Sequence, residues 1–237
     1  MENIKLIKSE LDRHTNFKRQ ANASRYFKSG PGEYAEGDQF LGVANPDLRA
    51  ISKLFWNEVS EEEVAELLND PIHEVRLLGI FILVLKFQKA KTPANKEVWV
   101  NVYLNNLEKI NNWDLVDSSA YQILGMWLED KPREILIEFA NSGNLWKQRI
   151  AMIATMHFIK KDDFKDTLAI AKILLHHEHD LIHKAVGWML REAGNRDLQT
   201  EERFLKKHYK TMPRTALRYA IEKFPEEKRQ AYLKGEM

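Results

Sequence analysis

The stretch Pro71-Ile-His-Glu-Val-Arg76 sets a pattern that recurs four times in the 237-residue chain. The later copies are Asn112-Trp-Asp-Leu-Val-Asp117, Asn144-Leu-Trp-Lys-Gln-Arg149, Asp180-Leu-Ile-His-Lys-Ala185 and Thr211-Met-Pro-Arg-Thr-Ala216. The final residues of the five segments are separated by 41, 32, 36 and 31 positions, a spacing typical of stacked helix pairs such as HEAT, armadillo and TPR repeats. The pattern predicts an all-α fold, a HEAT-like helical repeat superhelix (α-solenoid) whose second helices line a concave face.

Helical signals extend through the rest of the chain. Apolar residues recur at i, i+3 and i+7 from Ile4, and no apolar–polar alternation or Asn-Gly hairpin signal indicates a strand. Helix starts are predicted at Asn45-Pro46 and Asp70-Pro71, where a capping side chain precedes a proline. A further start is predicted at Ser60, because Glu63 follows it at capping-box spacing.

Composition excludes several classes of protein. The absence of cysteine removes disulfide frameworks, thiolate zinc sites and cysteine nucleophiles. Charges within the first eight residues interrupt the apolar block of a signal peptide, and the longest apolar run, Leu77 to Leu85, is about half of a membrane span. We therefore expect a soluble, cytoplasmic protein that forms a single HEAT-like-repeat domain over residues 1–237.

A histidine-rich segment offers a superficial metal site. In His176-His-Glu-His-Asp180, His183 follows His179 at i+4, a spacing that two metal ligands can use. The segment lacks the His-Glu-x-x-His order and falls in a predicted turn. Dinucleotide, P-loop and serine-hydrolase motifs are also missing. We expect neither a metal nor a cofactor.

Aromatic and charged side chains share one face of the predicted second helices. Trp113 and Asp117 are four residues apart, so they lie on the same side of one helix. The later repeats place more such side chains at matching positions, namely Trp146, Arg149, Trp188, Arg191, Arg214 and Arg218. Because packed helices lie about 8–10 Å apart, these residues are expected to form one patch. Three tryptophans, a carboxylate and several arginines are an unusual mixture for a buried face.

Each of these positions also has a purely structural interpretation. A tryptophan at helical spacing usually belongs to the core. Arg76 is expected to pair with Asp70 in a ladder between repeats, and Arg149 fits either that ladder or a ligand contact. Asp117 needs a partner if it is buried, and if exposed it is an isolated anion facing basic residues.

Three segments carry a resemblance to a known family. Asn112-Trp-Asp-Leu-Val-Asp117, Leu145-Trp-Lys-Gln-Arg149 and Ile182-His-Lys-Ala-Val-Gly-Trp-Met-Leu-Arg-Glu192 resemble the bacterial AlkD-type alkylpurine DNA glycosylases, HEAT-like-repeat enzymes of DNA alkylation repair. Phe40-Leu-Gly-Val43, followed by a proline-capped helix, is similar to the N-terminal region of that family. The resemblance covers roughly residues 20 to 220.

The resemblance implies roles for individual residues. Asp117 matches the catalytic carboxylate, and Trp113 and Trp188 match the aromatic pair that cradles the deoxyribose of the lesion. Arg149 matches a phosphate contact, and Tyr26 an N-terminal aromatic residue that touches DNA. Further basic residues on the same helices are expected to bind DNA: Lys184, Arg191, Arg214 and Arg218.

Two segments depart from the family pattern. The connection from Gly30 to Gln39 is longer than usual, and Asn112 stands where family members often carry a second tryptophan. The longer connection is expected to alter contacts at the N-terminal end of the protein.

The resemblance implies a monofunctional DNA glycosylase of base excision repair. Its substrates would be cationic N3- and N7-alkylated purines, 3-methyladenine and 7-methylguanine, in double-stranded DNA, excised without a base-specific pocket by a monomer in the bacterial cytosol or nucleoid. Two alternatives stay open. One is a non-catalytic DNA-binding relative that recognises damaged or branched DNA, and the other is a helical-repeat scaffold for protein partners.

The formal net charge of +1 is an average over an uneven chain. Residues 201–237 hold ten Lys and Arg against six acidic residues, a local charge of +4, and the remainder sums to −3. Net charge does not tell which face carries the basic residues. The near-neutral total is therefore compatible with a basic DNA-binding face backed by an acidic one.

Overall fold

A computed structural model describes residues 2–237, and within that range the chain is helical with no β-strand. Extended pairing in this range is limited to an isolated parallel bridge between Gln39 and Ile72. None of the described helices is long and apolar enough to cross a membrane. The all-α prediction is confirmed.

The chain divides into two compact units after Ser119. The described residues of the first unit form seven α-helices: α1 (Glu2–Arg13), α2 (Phe17–Phe27), α3 (Asn45–Phe55), α4 (Glu61–Leu68), α5 (His73–Lys89), α6 (Pro93–Asn105) and α7 (Trp113–Asp117). A 3₁₀ turn at Leu107–Lys109 precedes α7.

The second unit starts with a π-helical turn at Tyr121–Gly125. Eight α-helices follow: α8 (Glu134–Ala140), α9 (Leu145–Ala154), α10 (Met156–Ile159), α11 (Lys165–Ile173), α12 (Asp180–Arg196), α13 (Leu198–His208), α14 (Arg214–Ala220) and α15 (Glu226–Lys234). A 3₁₀ turn covers Ile221–Lys223. A single domain over residues 1–237 stays a prediction.

Helices pack in alternating pairs inside each unit. In the first unit α5 packs on α3, α4, α6 and α7, and α4 also packs on α6. In the second unit α12 packs on α9 and α14 and on the intervening helices α11 and α13, while α11 packs on α8. This arrangement is consistent with a helical-repeat fold.

The five recurring segments all lie where a helix begins. They open α5, α7, α9, α12 and α14, so each copy of the pattern marks the beginning of a helix. The apolar run Leu77 to Leu85 lies inside α5, which is buried along most of its length and forms the centre of the first unit. This burial explains why nine consecutive apolar residues are tolerated in one helix.

Only one of the three predicted helix caps has its expected form. Ser60 and Glu63 make a complete capping box at the start of α4. At α3 the prediction is one residue late, because Ala44 is the N-cap and Asn45 already lies in the helix.

The predicted start of α5 is also wrong. Asp70 and Pro71 do not begin the helix, because the Pro71 carbonyl accepts the Gln39 N–H and keeps the chain extended up to Ile72. The Asp70 carboxylate instead accepts the Ile72 N–H in a local turn, at 2.9 Å.

A glycine allows two helices of the second unit to approach closely. A Cβ at Gly187 of α12 would lie 2.4 Å from the Ala216 carbonyl oxygen and 2.5 Å from the Tyr219 Cβ. Because such distances are too short for real atoms, α12 and α14 pack this closely only with glycine at this position.

Candidate functional site

The predicted site residues divide between the two units. Tyr26, Trp113 and Asp117 belong to the first unit, and the second contains Arg149, Lys184, Trp188, Arg191, Arg214 and Arg218. Each set has its own supporting contacts.

Helix α7 presents Trp113 and Asp117 one turn apart on a common face. Both side chains are half-buried, whereas the intervening Leu115 and Val116 are fully buried and anchor the opposite face. Asn112 is buried at the start of the helix and accepts the Trp113 N–H at 2.8 Å. The departure at Asn112 therefore places a capping amide where a second tryptophan was expected.

Trp113 lies within an aromatic cluster formed with α2. The Tyr26 ring meets it edge-on, with centroids 5.8 Å apart at 74°. The Phe27 ring stacks on it at 5.9 Å and 22°. Tyr26 is 64% exposed, so the cluster presents a tyrosine and a tryptophan to solvent from two different helices. The structure thus brings together two of the residues singled out from the sequence.

A buried charge network lies behind this cluster. His73 of α5 donates from Nε2 to the Asp114 Oδ2 at 2.8 Å, and its Nδ1 lies 3.4 Å from the Asp38 Oδ2. Burial works against protonation of His73, but the carboxylates of Asp114 and Asp38 outweigh it and raise the pKa to about 9. Sequence reasoning missed this network, although His73 and Asp114 both lie inside the recurring segments.

The predicted Asp70–Arg76 ladder has different partners. Arg76 donates to the Asp38 Oδ2 at 2.7 Å, and it reaches Asp70 only through the main-chain carbonyl, at 3.0 Å. The Asp70 carboxylate pairs with Lys8 instead. Burial raises the pKa of Asp38, but the His73 hydrogen bond and the Arg76 charge reverse this, so its pKa is below the usual value. Arg76 therefore belongs to the charge network behind Trp113.

The Phe40-Leu-Gly-Val43 segment is held by one carboxylate. Glu74 of α5 accepts the Leu41 N–H at 3.0 Å and the Gly42 N–H at 2.7 Å. Gly42 has a φ of 77°, and a Cβ there would lie 2.3 Å from the Asn16 carbonyl oxygen. Only glycine fits this approach, which positions the start of α2 beside the loop.

In the second unit, one carboxylate contacts both Trp188 and Arg191. The Trp188 Nε1–H donates to the Glu192 Oε1 at 3.1 Å, and Arg191 donates to the same oxygen at 3.1 Å. Arg191 also pairs with Glu222. Sequence reasoning missed Glu192, whose i+4 spacing from Trp188 is the signal that could have identified it.

Arg149 is 4% exposed and fixes the start of α12. Its guanidinium donates to the Leu181 carbonyl, which fits the structural interpretation of this residue. The side chain also has contacts besides this bond. Its phosphate contact stays a prediction.

The other basic candidates differ in how much of their charge is paired. Lys184 pairs with Asp180 at 2.7 Å on the first turn of α12. On α14, Arg214 and Arg218 are both exposed, and Arg214 donates to the Leu233 carbonyl at 2.7 Å. A bond to a neutral main-chain carbonyl does not neutralise the positive charge of Arg214. Arg214 and Arg218 are therefore suited to binding a polyanion.

The histidine-rich segment forms the turn before α12, as predicted. The His179 ring accepts the Leu181 N–H as the helix cap, and His177 hydrogen bonds to the Gln148 side chain at 3.0 Å. His183 bonds to the His177 main-chain carbonyl. Within residues 2–237, no group of three or more His, Cys, Asp or Glu side chains is arranged to hold a metal ion. The histidines of this segment therefore form hydrogen bonds that cap α12 and hold the turn.

Comparison with known proteins identifies the family of this chain. Residues 7–224 match the family described as DNA alkylation repair enzyme. A solved structure described as a "predicted DNA alkylation repair enzyme" from Enterococcus faecalis superposes with a TM-score of 0.72 at 19% identity, covering 90% of this chain and 98% of that one. A comparison with curated proteins finds no match. Because the family match spans nearly the whole sequence, the chain belongs to the family of DNA alkylation repair enzymes.

Proposed function

We propose that this protein is a monofunctional DNA glycosylase that hydrolyses the N-glycosidic bond of cationic N3- and N7-alkylated purines in duplex DNA, the first step of base excision repair. The observation that carries the proposal is the placement of Trp113 and Asp117 one turn apart on α7, in a chain of the DNA alkylation repair family. We further propose that it acts as a monomer in the bacterial cytosol or nucleoid.

The chemistry of the substrate accounts for a site with a single carboxylate. Alkylation at N3 or N7 gives the purine a formal positive charge, so the base leaves as a neutral molecule. Such a leaving group needs no general acid, whereas ordinary glycosidases use two carboxyl groups. Asp117 would stabilise the oxocarbenium-like charge that develops on the sugar and would orient the attacking water.

The aromatic residues would bind the sugar as it becomes cationic. Trp113 can contribute a cation–π attraction of about 0.5–2 kcal/mol, which grows as charge develops in the transition state. We propose the same kind of contribution for Trp188, on the basis of its match to the family motif. The edge-on contact of Tyr26 with Trp113 holds the indole in place and extends the aromatic surface towards solvent. Trp188 is held in turn by Glu192.

Binding of the duplex would depend on the basic residues. Arg214 and Arg218 are exposed on α14, where they can reach phosphate oxygens. Phosphate contacts position the duplex but do not read the base, so selectivity would come from the lability of the cationic lesion.

A comparison of cationic and neutral lesions tests the substrate class. Duplexes with a single 7-methylguanine, 3-methyladenine, hypoxanthine or 1,N6-ethenoadenine are incubated with the protein, and abasic sites are detected by strand cleavage in alkali. We expect cleavage of the two cationic lesions and none of the two neutral ones. Equal cleavage of all four would contradict a mechanism that depends on leaving-group charge.

The same assay, combined with measurements of duplex affinity at several salt concentrations, separates the rival functions. Salt-dependent duplex binding without any base release would identify a non-catalytic DNA-binding relative. A protein-binding scaffold would show neither release nor steep salt dependence between about 50 and 200 mM.

A further inference from the structure

His73 is almost fully buried, and its ring contacts two carboxylates. It is 1% exposed, yet it bonds to Asp114 on α7 and lies beside Asp38 in the preceding loop. The catalytic role proposed above does not use it. We propose that His73 is a positioning residue for the glycosylase reaction, fixing Trp113 through Asp114 and Phe27; this inference rests on the proposed function.

Two contact routes connect His73 with Trp113. The first runs through the main chain, because the acceptor Asp114 is the residue directly after Trp113. The second runs through ring packing. The Phe27 ring lies over the His73 ring with centroids 4.4 Å apart, and its stacking on Trp113 completes the route. His73 therefore restrains both the backbone and the indole of Trp113.

Helix α7 depends on such anchors because it is short. It has only five residues, little more than one turn, so hydrogen bonds within the helix contribute little to its orientation. The Asp114 carboxylate uses one oxygen for the Leu115 N–H, at 2.9 Å, and the other for His73. The first turn, which carries Trp113 and leads to Asp117, is thereby tied to the long buried helix α5.

The charges around His73 favour a cationic ring. The groups that face it are the carboxylates of Asp38 and Asp114 and the guanidinium of Arg76. If the His73 ring were neutral, the two buried carboxylates would have only the Arg76 guanidinium as a counter-charge. With a cationic ring, two positive charges neutralise the two negative charges. A cationic ring also attracts the face of Phe27 more strongly than a neutral one.

Kinetics of two variants test this role. His73→Asn removes the imidazolium cation. Asp114→Asn keeps the shape of the side chain that accepts from His73 and removes its negative charge. Their matched control is His14→Asn, at a histidine of the first unit that is 38% exposed. Single-turnover release of 7-methylguanine is measured at saturating enzyme, and duplex affinity by fluorescence anisotropy. We expect release rates about 10- to 100-fold lower for the two test variants, with affinities within about two-fold of wild type.

A second measurement reports on Trp113 without requiring activity. The protein is labelled with 5-fluorotryptophan, and the Trp113 resonance in the fluorine NMR spectrum is assigned with Trp113→Phe. We expect that resonance to shift or broaden in His73→Asn and Asp114→Asn and to stay unchanged in His14→Asn. If His73→Asn does not fold, Asp114→Asn decides the outcome.

The two proposals fail in different ways. A wild-type protein that releases no base contradicts the proposed function, and the fluorine spectrum still decides whether His73 positions Trp113. An active wild type whose two test variants keep the wild-type rate and the wild-type Trp113 resonance would overturn the positioning role alone.

Discussion

The indole N–H of Trp188 donates a 3.1 Å hydrogen bond to the Glu192 Oε1, one turn further along α12. The same carboxylate accepts from Arg191, so an aromatic and a basic candidate residue share one anchor. Trp188 and Arg191, which the sequence analysis considered separately, are thus held by the same side chain. The orientation of Trp188 depends on a side chain that we do not expect to touch DNA.

Replacement of Glu192 tests that dependence. Glu192→Ala removes the acceptor of the Trp188 N–H, and we expect base release to slow about 5- to 30-fold, the effect of losing one positioning hydrogen bond of about 1–2 kcal/mol. Glu192→Gln keeps an acceptor oxygen and should retain most of the rate. Single-turnover kinetics on a 7-methylguanine duplex measure both. Equal rates for Glu192→Ala and wild type would show that Trp188 needs no such anchor.

The exposed arginines of α14 should determine the salt dependence of DNA binding. Each phosphate contact adds about 0.9 to the slope of log affinity against log salt. We expect Arg218→Ala and Arg214→Ala each to weaken duplex binding and to reduce that slope by about 1, for lesion and undamaged DNA alike. Lys53→Ala, at an exposed lysine of α3, is the matched control and should leave the slope unchanged. An unaltered slope in the two arginine variants would remove α14 from the DNA-binding face.

A buried acid predicts how stability changes with pH. Glu201 is 1% exposed; its burial, together with the negative charges of Glu202 and Glu192, raises its pKa to about 8. The folded protein therefore keeps a proton that the unfolded chain releases near its ordinary pKa of about 4.5. Protonated Glu201 therefore has its full stabilising effect, relative to the ionised form, below a pH of about 4.5. That effect on the free energy of unfolding is lost progressively as the pH rises to about 8.

Glu201→Gln isolates this effect, because glutamine stays neutral at every pH. We expect the variant to gain thermal stability relative to wild type as the pH rises from about 5 to 8.5, measured as the difference in Tm between the two proteins. His73 lowers the stability of both proteins equally as the pH approaches 9, so it cancels in the difference. A Tm difference that is constant over this range would contradict burial of a protonated Glu201.

The helical fold could be predicted because its signals are local. Each recurring segment combines a turn with the first residues of a helix, and such patterns depend only on neighbouring residues. The capping box of Ser60 and Glu63 was predictable for the same reason. The start of α5 was not, since Ile72 stays extended through pairing with Gln39, more than thirty residues earlier in the chain.

The candidate site was predictable only in part, for a related reason. Trp113 and Asp117 share a helix face that spacing alone reveals. The partner of His73 is 41 residues away in sequence, and the Asp38 that pairs with Arg76 lies in a loop without periodicity. No pattern in the sequence pairs such distant charges, and burial determines which of them come together.

The role of Asp117 is tested most directly by single-turnover conversion of a 7-methylguanine duplex to an abasic site, with wild type and Asp117→Asn at equal saturation. Asparagine has nearly the same shape but carries no negative charge to stabilise the developing cation. We predict a rate at least about 100-fold lower for Asp117→Asn, with duplex affinity equal to or higher than that of wild type. Equal rates of base release by the two proteins would contradict the proposed mechanism.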